Sequence, residues 1–385
     1  MGIKYIRVLK YVTSAGPRGD GTRVTVVLTL TSDLGESSYP QAVPLACTVT
    51  TSGQSVHTEL LEWSGTRAVQ TYQFEVPPSR PVHRESAGVV RVCARQTRTR
   101  DRHNDDDDDD QEEGEEEGGG RDRGPAFLVD FLGSHGHDLI VPVEFEHGGG
   151  RRFSQSVVRT FRVGSRDVAV RELTRESIVS HVWDGGLLMS ALLASVLCLI
   201  RTPPRPRSRG PGRLEEVQAV LGETLRPGTR VTELGTGTGL VGLVTSHLPG
   251  LHITVTDLPA AEDLVLQNAS TARGPSAVTF RALDWTDTGH RLDAAAVNVL
   301  MMTDVTYNES YHEALSSCIQ RLSRPGTRII FTSKYRHASE RAFIDGLAGR
   351  YKVLNRTVFD GTSFHCKQVD GVVVLGDVEI LVLEV

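Results

Sequence analysis

Three glycines alternate in Leu234-Gly235-Thr236-Gly237-Thr238-Gly239-Leu240, behind a short run, Val231-Thr232-Glu233, and ahead of an apolar stretch. Glycine permits a tight turn and lets a ligand lie against the backbone. A helix starting behind such a turn presents free N–H groups. Alternating glycines alone also occur in dinucleotide sites and in bare strand-to-helix turns. Two acids narrow the choice. Asp257 ends the next strand-like run, Ile253-Thr254-Val255-Thr256, where a carboxylate can accept both hydroxyls of a ribose. Glu233 stands two residues before the first glycine. It would repel a pyrophosphate and suits a cationic ligand end.

S-adenosylmethionine carries such an end, an ammonium beside a sulfonium. An NAD-dependent dehydrogenase would share the turn and Asp257, but no hydride-relay His or Tyr-Lys pair is evident, and Glu233 opposes it.

The elements needed to position these residues are legible. Helix-like periods at 185–200, 213–225, 260–272 and 309–322 alternate with strand-like runs at 231–234, 253–256, 295–300 and 328–331. That alternation predicts an α/β fold with a parallel sheet covered on both faces. A helix over 338–348 and a terminal antiparallel pair, 351–359 and 378–385, complete it. Leu187–Ile200 is apolar over 14 residues; a membrane span needs about 20, so a buried helix is expected.

Glu-Leu-Gly-Thr-Gly-Thr-Gly-Leu-Val-Gly (233–242) followed by Val-Thr-Asp-Leu-Pro (255–259) resembles the class I, seven-strand S-adenosylmethionine-dependent methyltransferases. Four further pieces resemble their protein-lysine branch, the methyltransferase-like proteins twenty-one and twenty-two and their fungal relatives. They are His181-Val182-Trp183-Asp184-Gly185-Gly186, Asn268, Leu283-Asp284-Trp285, and Thr303-Asp304-Val305-Thr306-Tyr307. The likeness covers about residues 166–385. It implies a Rossmann-like fold and S-adenosylmethionine as cofactor. Gly235, Gly237 and Gly239 would line the methionine moiety with Glu233 near its ammonium. Asp257 would hold the ribose, and Asp284 and Trp285 the adenine. Trp183 and Thr303 would complete the cofactor shell. For each Trp the alternative is a plain core aromatic.

Asp304-x-x-Tyr307 fits the signature of that branch at a strand's C-terminal end, the edge where open α/β sheets bind ligands. Methyl transfer is an in-line displacement that needs a neutral amine, so positioning carries most of it. The resemblance makes Asp304 and Tyr307 the catalytic pair. Asp304 would orient a lysine amine, and the Tyr307 ring would face the charge forming on nitrogen. The alternative is that Asp304 caps the next helix, a task open to Asn308 or Ser310. Two departures stand out: Met301-Met302 before Thr303, expected to tighten the strand around the cofactor or to reshape it slightly, and Thr306 in a usually apolar place.

The chain of 385 residues suggests two domains. Residues 1–165 read as a mostly β N-terminal domain, with strands near 4–9, 23–30, 45–50, 69–76, 88–94, 126–132, 139–145 and 156–163. Within it, 95–124 is a low-complexity insertion. Six Asp and five Glu crowd residues 105–117, and such a run is expected to be disordered and to recruit basic partners. Removing those eleven charges turns the net −6 into +5 for the remainder, too small an excess to argue for nucleic acid. The Arg- and Pro-rich loop 201–212 lacks the aromatics of a single-strand binder.

Five cysteines lie far apart, and His365 and Cys366 sit in a loop without other ligands. Neither a disulfide framework nor a metal is expected, and a reducing compartment, cytoplasm or nucleus, is. The N-terminus shows no signal-peptide core, and Ile6 stands where myristoylation wants Ser or Thr. The expected activity is methyl transfer to a protein lysine. Other acceptors (a histidine, an N-terminal amine, a small amine) and a non-catalytic interaction module remain open.

Overall fold

The computed structural model describes residues 4–15, 22–32, 38–51, 54–77, 88–94, 126–127, 140–141, 143–147, 156–173, 180–201, 212–289, 292–360 and 376–385. The acidic insertion 95–124, nearly all of the 201–212 loop, the run beyond Phe127, and His365 with Cys366 lie outside the described residues.

The N-terminal half consists of strands β1 (Lys4–Ala15), β2 (Thr22–Thr31), β3 (Val43–Thr51), β4 (Gln54–Trp63), β5 (Gln70–Val76), β6 (Gly88–Ala94), β7 (Ala126–Phe127), β8 (Ile140–Val141), β9 (Val143–His147), β10 (Ser156–Val163) and β11 (Arg166–Leu173). They form two sheets, β5-β2-β1-β8 and β11-β10-β9-β6-β3-β4, with β7 beside β10. Period-2 alternation gives each sheet an apolar face. Ile6, Val26 and Leu28 of one sheet meet Leu45, Trp63 and Phe145 of the other in a shared core. Strand β4 was not expected from sequence. Its polar residues, among them His57, Glu59 and Glu62, dilute the β signal, and pairing with β3 from Val43↔Trp63 to Thr51↔Gln54 supplies the order.

The C-terminal half is a doubly wound α/β domain, as expected. Its strands are β12 (Arg230–Leu234), β13 (His252–Asp257), β14 (Val278–Ala282), β15 (Val299–Thr303), β16 (Arg328–Lys334), β17 (Lys352–Phe359) and β18 (Val378–Glu384). Their order is β14-β13-β12-β15-β16-β18-β17. The first five run parallel, and β18 lies antiparallel to both its neighbours. The helices are α1 (Asp184–Arg201), α2 (Arg213–Thr224), α3 (Leu240–Thr245), α4 (Glu262–Thr271), α5 (His312–Leu322) and α6 (Ala338–Arg350). One sheet face packs on α1, α2, α3 and α4, the other on α5 and α6.

Two details correct the sequence reading. The fourth parallel strand begins at Val299, because Ala294–Ala296 form a 3-10 turn. Met301 and Met302 point into the two opposite cores, so they fill the sheet's faces and do not tighten the strand around a ligand. Helix α1 is long and apolar enough to cross a membrane by length and composition. However, every residue from Asp184 to Leu197 is buried within the protein, which makes it a core helix.

The expected boundary at 165/166 falls in the turn of a hairpin. β10 and β11 pair antiparallel from Ser156↔Leu173 to Val163↔Arg166. Phe161, Val163, Val168 and Val170 of that hairpin, with Tyr5 and Val141, join the same buried cluster as Leu187, Leu188 and Leu192 of α1. The two halves therefore share a core. Residues 166–173 escaped notice because their polar outward positions interrupt the apolar alternation.

Candidate functional site

A cavity of about 280 Å³ opens at the carboxyl ends of β12, β13 and β15. Its walls carry Trp183, Gly235, Gly237, Asp257, Asp284, Trp285, Thr303, Asp304 and Tyr307, nine of the eleven residues expected from sequence. Glu233 and Gly239 are not among the lining residues.

The glycine turn is built as the spacing requires. Gly235, Gly237 and Gly239 all have positive φ, the region that side chains disfavour. At Gly235 a Cβ would also stand 2.7 Å from Val305 Cγ1 and 3.2 Å from Trp285 Cζ2. Gly239 forms the left-handed entry to α3. Asp257 clamps the turn: its Oδ2 accepts the Gly237 N–H at 2.8 Å and its Oδ1 the Leu258 N–H at 2.8 Å. Burial raises its pKa, against the lowering effect of those two bonds. Each oxygen keeps a lone pair for a further donor. Asn268, expected only by resemblance, bridges the turn to the N-terminal hairpin. Its amide donates to Thr238 O at 2.8 Å and Arg171 O at 3.1 Å, and its Oδ1 accepts Arg171 N–H at 2.9 Å.

Glu233 lies beneath the turn and does not face the cavity. Its Oε2 accepts the Thr236 hydroxyl at 2.9 Å, and the Gly242 N–H also bonds to the carboxylate. Its Oε1 is buried without a hydrogen-bond partner. Burial pushes its pKa up to about 8. Burial therefore favours its neutral form, and the carboxyl supports the loop from beneath.

Asp284 opens the loop after β14. Its Oδ1 accepts both the N–H (2.8 Å) and the hydroxyl (2.6 Å) of Thr286, and these bonds lower its pKa. Arg321 of α5 donates to Trp285 O at 3.2 Å and so ties this loop to the next layer.

Asp304 occupies a position the sequence did not reveal. It is the one non-glycine residue with positive φ, +51°, among the described residues. This left-handed turn folds its side chain back onto the start of α1. Oδ2 accepts the Gly185 N–H at 2.5 Å, and Oδ1 accepts the Lys334 N–H and Arg336 Nη1, both at 2.9 Å. The carboxylate lines the cavity and is shared among three donors, which leaves one acceptor position on Oδ2. It does not cap the next helix: Asn308 caps the 3-10 turn Glu309–Tyr311 that leads into α5, accepting from Ser310 N at 3.1 Å. The Thr306 hydroxyl, unusual for its place, sits 3.2 Å from that of Ser333.

At the mouth, Leu258, Tyr307 and Tyr311 are each about half exposed. Partial burial, then the nearby Asp257 and Tyr311, raise the Tyr307 pKa. Tyr311 and Arg336 also line the cavity and were missed in the sequence. For Tyr311 the available signal was its spacing of four from Tyr307. The Arg336 guanidinium lies 5.6 Å from the Trp183 ring centroid. Among the described residues no cluster of His, Cys, Asp and Glu suits a metal.

The doubly wound sheet, the glycine turn and the carboxyl-end cavity together define a Rossmann-like domain with a ligand site at the carboxyl edge of its sheet. Residues 163–350 match the model of a family described as lysine methyltransferase. Among curated relatives, the zebrafish (Danio rerio) protein N-lysine methyltransferase METTL21A is 31% identical over 137 residues, 34% of this chain and 62% of that protein. The EEF1A lysine methyltransferase 3 of Xenopus tropicalis is 33% identical over 123 residues, 31% of this chain and 53% of that protein. The mouse METTL21A is 21% identical over 218 residues, 56% of this chain and 88% of that protein. The chain thus spans between half and two thirds of the first two relatives' length.

Proposed function

We propose that this protein transfers a methyl group from S-adenosylmethionine to a lysine side chain of another protein. The observation that carries this reading is the cavity. Its walls carry Gly235 and Gly237 of the glycine turn, Asp257 and Trp285, and the half-exposed Tyr307, Tyr311 and Leu258. The glycine turn and Asp257 suit a nucleoside bound to an amino acid: Gly235 presents bare backbone where any side chain would collide with Val305 and Trp285, and the Asp257 lone pairs can accept hydroxyl donors. Asp257 would hold the ribose and Asp284 with Trp285 the adenine. Bound there, S-adenosylmethionine supplies an electrophilic methyl on a sulfonium.

The protein's own part is to bind, orient and exclude water. Leu258 and Val305 give the walls apolar surface, which favours a neutral amine over an ammonium. The Tyr307 and Tyr311 rings offer π-faces to the charge that grows on nitrogen, worth about 1 kcal/mol each. The amine sheds its proton to solvent before entry. The eleven acids of residues 105–117 supply attraction for a basic partner, and we place the protein in the cytoplasm or nucleus.

The test has two parts. Calorimetry should show binding of S-adenosylhomocysteine and none of NAD, with Asp257→Ala weakening it by about 1–3 kcal/mol. Isotope-labelled methyl transfer into lysate proteins, with the modified side chain identified, should then find lysine. Label on histidine or an α-amine would replace the acceptor, and binding of NAD alone would overturn the methyltransferase reading.

A further inference from the structure

The N-terminal β half reaches the cavity through a chain of buried polar contacts that the proposed reaction does not use. At its centre is the segment Val182–Gly185, which carries Trp183 into the cavity wall. From the N-terminal side, Glu172 of β11 accepts the Val182 N–H on Oε1 at 2.7 Å. Its Oε2 accepts Arg159 Nε of β10 at 2.7 Å. Arg159 also donates to Val141 O at 3.4 Å and Ile6 O at 3.3 Å, and its guanidinium lies 5.2 Å from the Tyr5 ring centroid. The Tyr5 hydroxyl donates to Asp184 Oδ1 at 2.7 Å. From the other side, Lys334 Nζ meets Asp184 Oδ2 at 2.5 Å, Asp304 takes the Gly185 N–H, and the Thr332 hydroxyl donates to Gly185 O at 2.9 Å. Tyr5, Arg159, Glu172 and Asp184 are all buried.

We infer that Tyr5, Arg159 and Glu172 are positioning residues for the cofactor end of the cavity, and that the N-terminal half is a structural part of that site. Val182 and Trp183 lie just ahead of α1, whose first residues are Asp184 and Gly185, and no strand ladder fixes them. Their placement is set instead by hydrogen bonds at both ends, of which one set comes entirely from the N-terminal sheets. A buried bond with a charged partner has a steep distance dependence in a low-dielectric interior. Removing it lets the segment relax and moves the Trp183 ring relative to Asp257 and Trp285. The inference rests on the cofactor reading above.

Removing Arg159 or Glu172 would leave an uncompensated buried charge and endanger the fold, so Tyr5→Phe is the discriminating variant. It keeps the ring beneath Arg159 and deletes the hydroxyl that bonds Asp184. S-adenosylhomocysteine binding is measured by calorimetry on the full chain, well below the melting transition, for the parent, Tyr5→Phe, Trp183→Leu and the double variant. Tyr5→Phe should weaken binding about threefold to tenfold. In the Trp183→Leu background it should have almost no effect, because the two residues act through one segment. Equal affinity of parent and Tyr5→Phe would overturn the inference, as would an equal loss in both backgrounds, which is the mark of general loosening. A parent that binds no S-adenosylhomocysteine would overturn the cofactor reading and this inference with it.

Discussion

Asp304 Oδ2 lies 2.5 Å from the amide nitrogen of Gly185, 119 residues away in the chain. Any side chain at 185 would collide with it, a Cβ there standing 2.4 Å from the same oxygen. The contact joins the C-terminal end of β15 to the N-terminal end of α1, where the free N–H groups and the helix dipole favour an anion. Asp304 is thereby the keystone of the cavity's far wall, with Arg336 and the Lys334 N–H as its other partners.

Asp304→Asn tests that assignment. Asparagine tolerates the left-handed backbone, so the turn should survive. Its single carbonyl oxygen cannot serve three donors, and the Arg336 ion pair is lost. Unfolding free energy should fall by about 2–4 kcal/mol, as for other broken buried charge-assisted contacts, with turnover falling as the wall loosens. Chemical denaturation checks this. Unchanged stability with a turnover loss of about 10²-fold, near 3 kcal/mol of barrier, would return Asp304 to the role of amine ligand.

The Glu233 carboxyl makes stability pH-dependent with a defined sign. Its folded pKa, about 8, lies above the ordinary value of 4.5, so the native state holds a proton the unfolded chain releases. Stability is fully present below about pH 4.5 and is lost as pH rises towards 8. Glu233→Gln removes this slope. The parent should lose, relative to that variant, on the order of a few kcal/mol between pH 5 and 8, one pKa unit being about 1.4 kcal/mol. Urea titrations of both proteins across that range measure the difference.

A chain shortened to begin at Arg166 should not fold. It would strip β10 from β11 and uncover the α1 surface that Tyr5, Val141, Phe161 and Val163 now bury. Each such side chain removed from the core costs about 2–4 kcal/mol, and a domain's whole stability is only about 5–15 kcal/mol. Circular dichroism and thermal melting of the shortened chain decide it. A cooperative transition at the parent's temperature would show that the C-terminal half stands alone.

Tyr307 should act through its ring. Tyr307→Phe keeps the π-face and should retain most of kcat/KM. Tyr307→Ala should lower it about fivefold to tenfold, equivalent to roughly 1 kcal/mol. Steady-state kinetics on the identified protein substrate separate the two. An equally large loss in Tyr307→Phe would assign the work to the hydroxyl.

What the sequence determined is the chemistry that depends on local backbone. Alternating glycines dictate a turn that only glycine can line, and an acid at the next strand end dictates where Asp257 must sit. The alternation of apolar periods dictates a sheet covered by helices. These follow from φ/ψ limits and side-chain periodicity, which act over a few residues. The tertiary structure alone decided the rest. The left-handed turn at 304 folded that carboxylate onto Gly185, Lys334 and Arg336, and burial raised the pKa of Glu233. Packing of β10 and β11 on α1 merged two expected domains into one core. Each depends on which distant segment lies opposite, and on how far water is excluded there. Period-2 alternation records that one face of a strand is covered, but not by what, so no pattern within 156–173 could announce α1 as its partner.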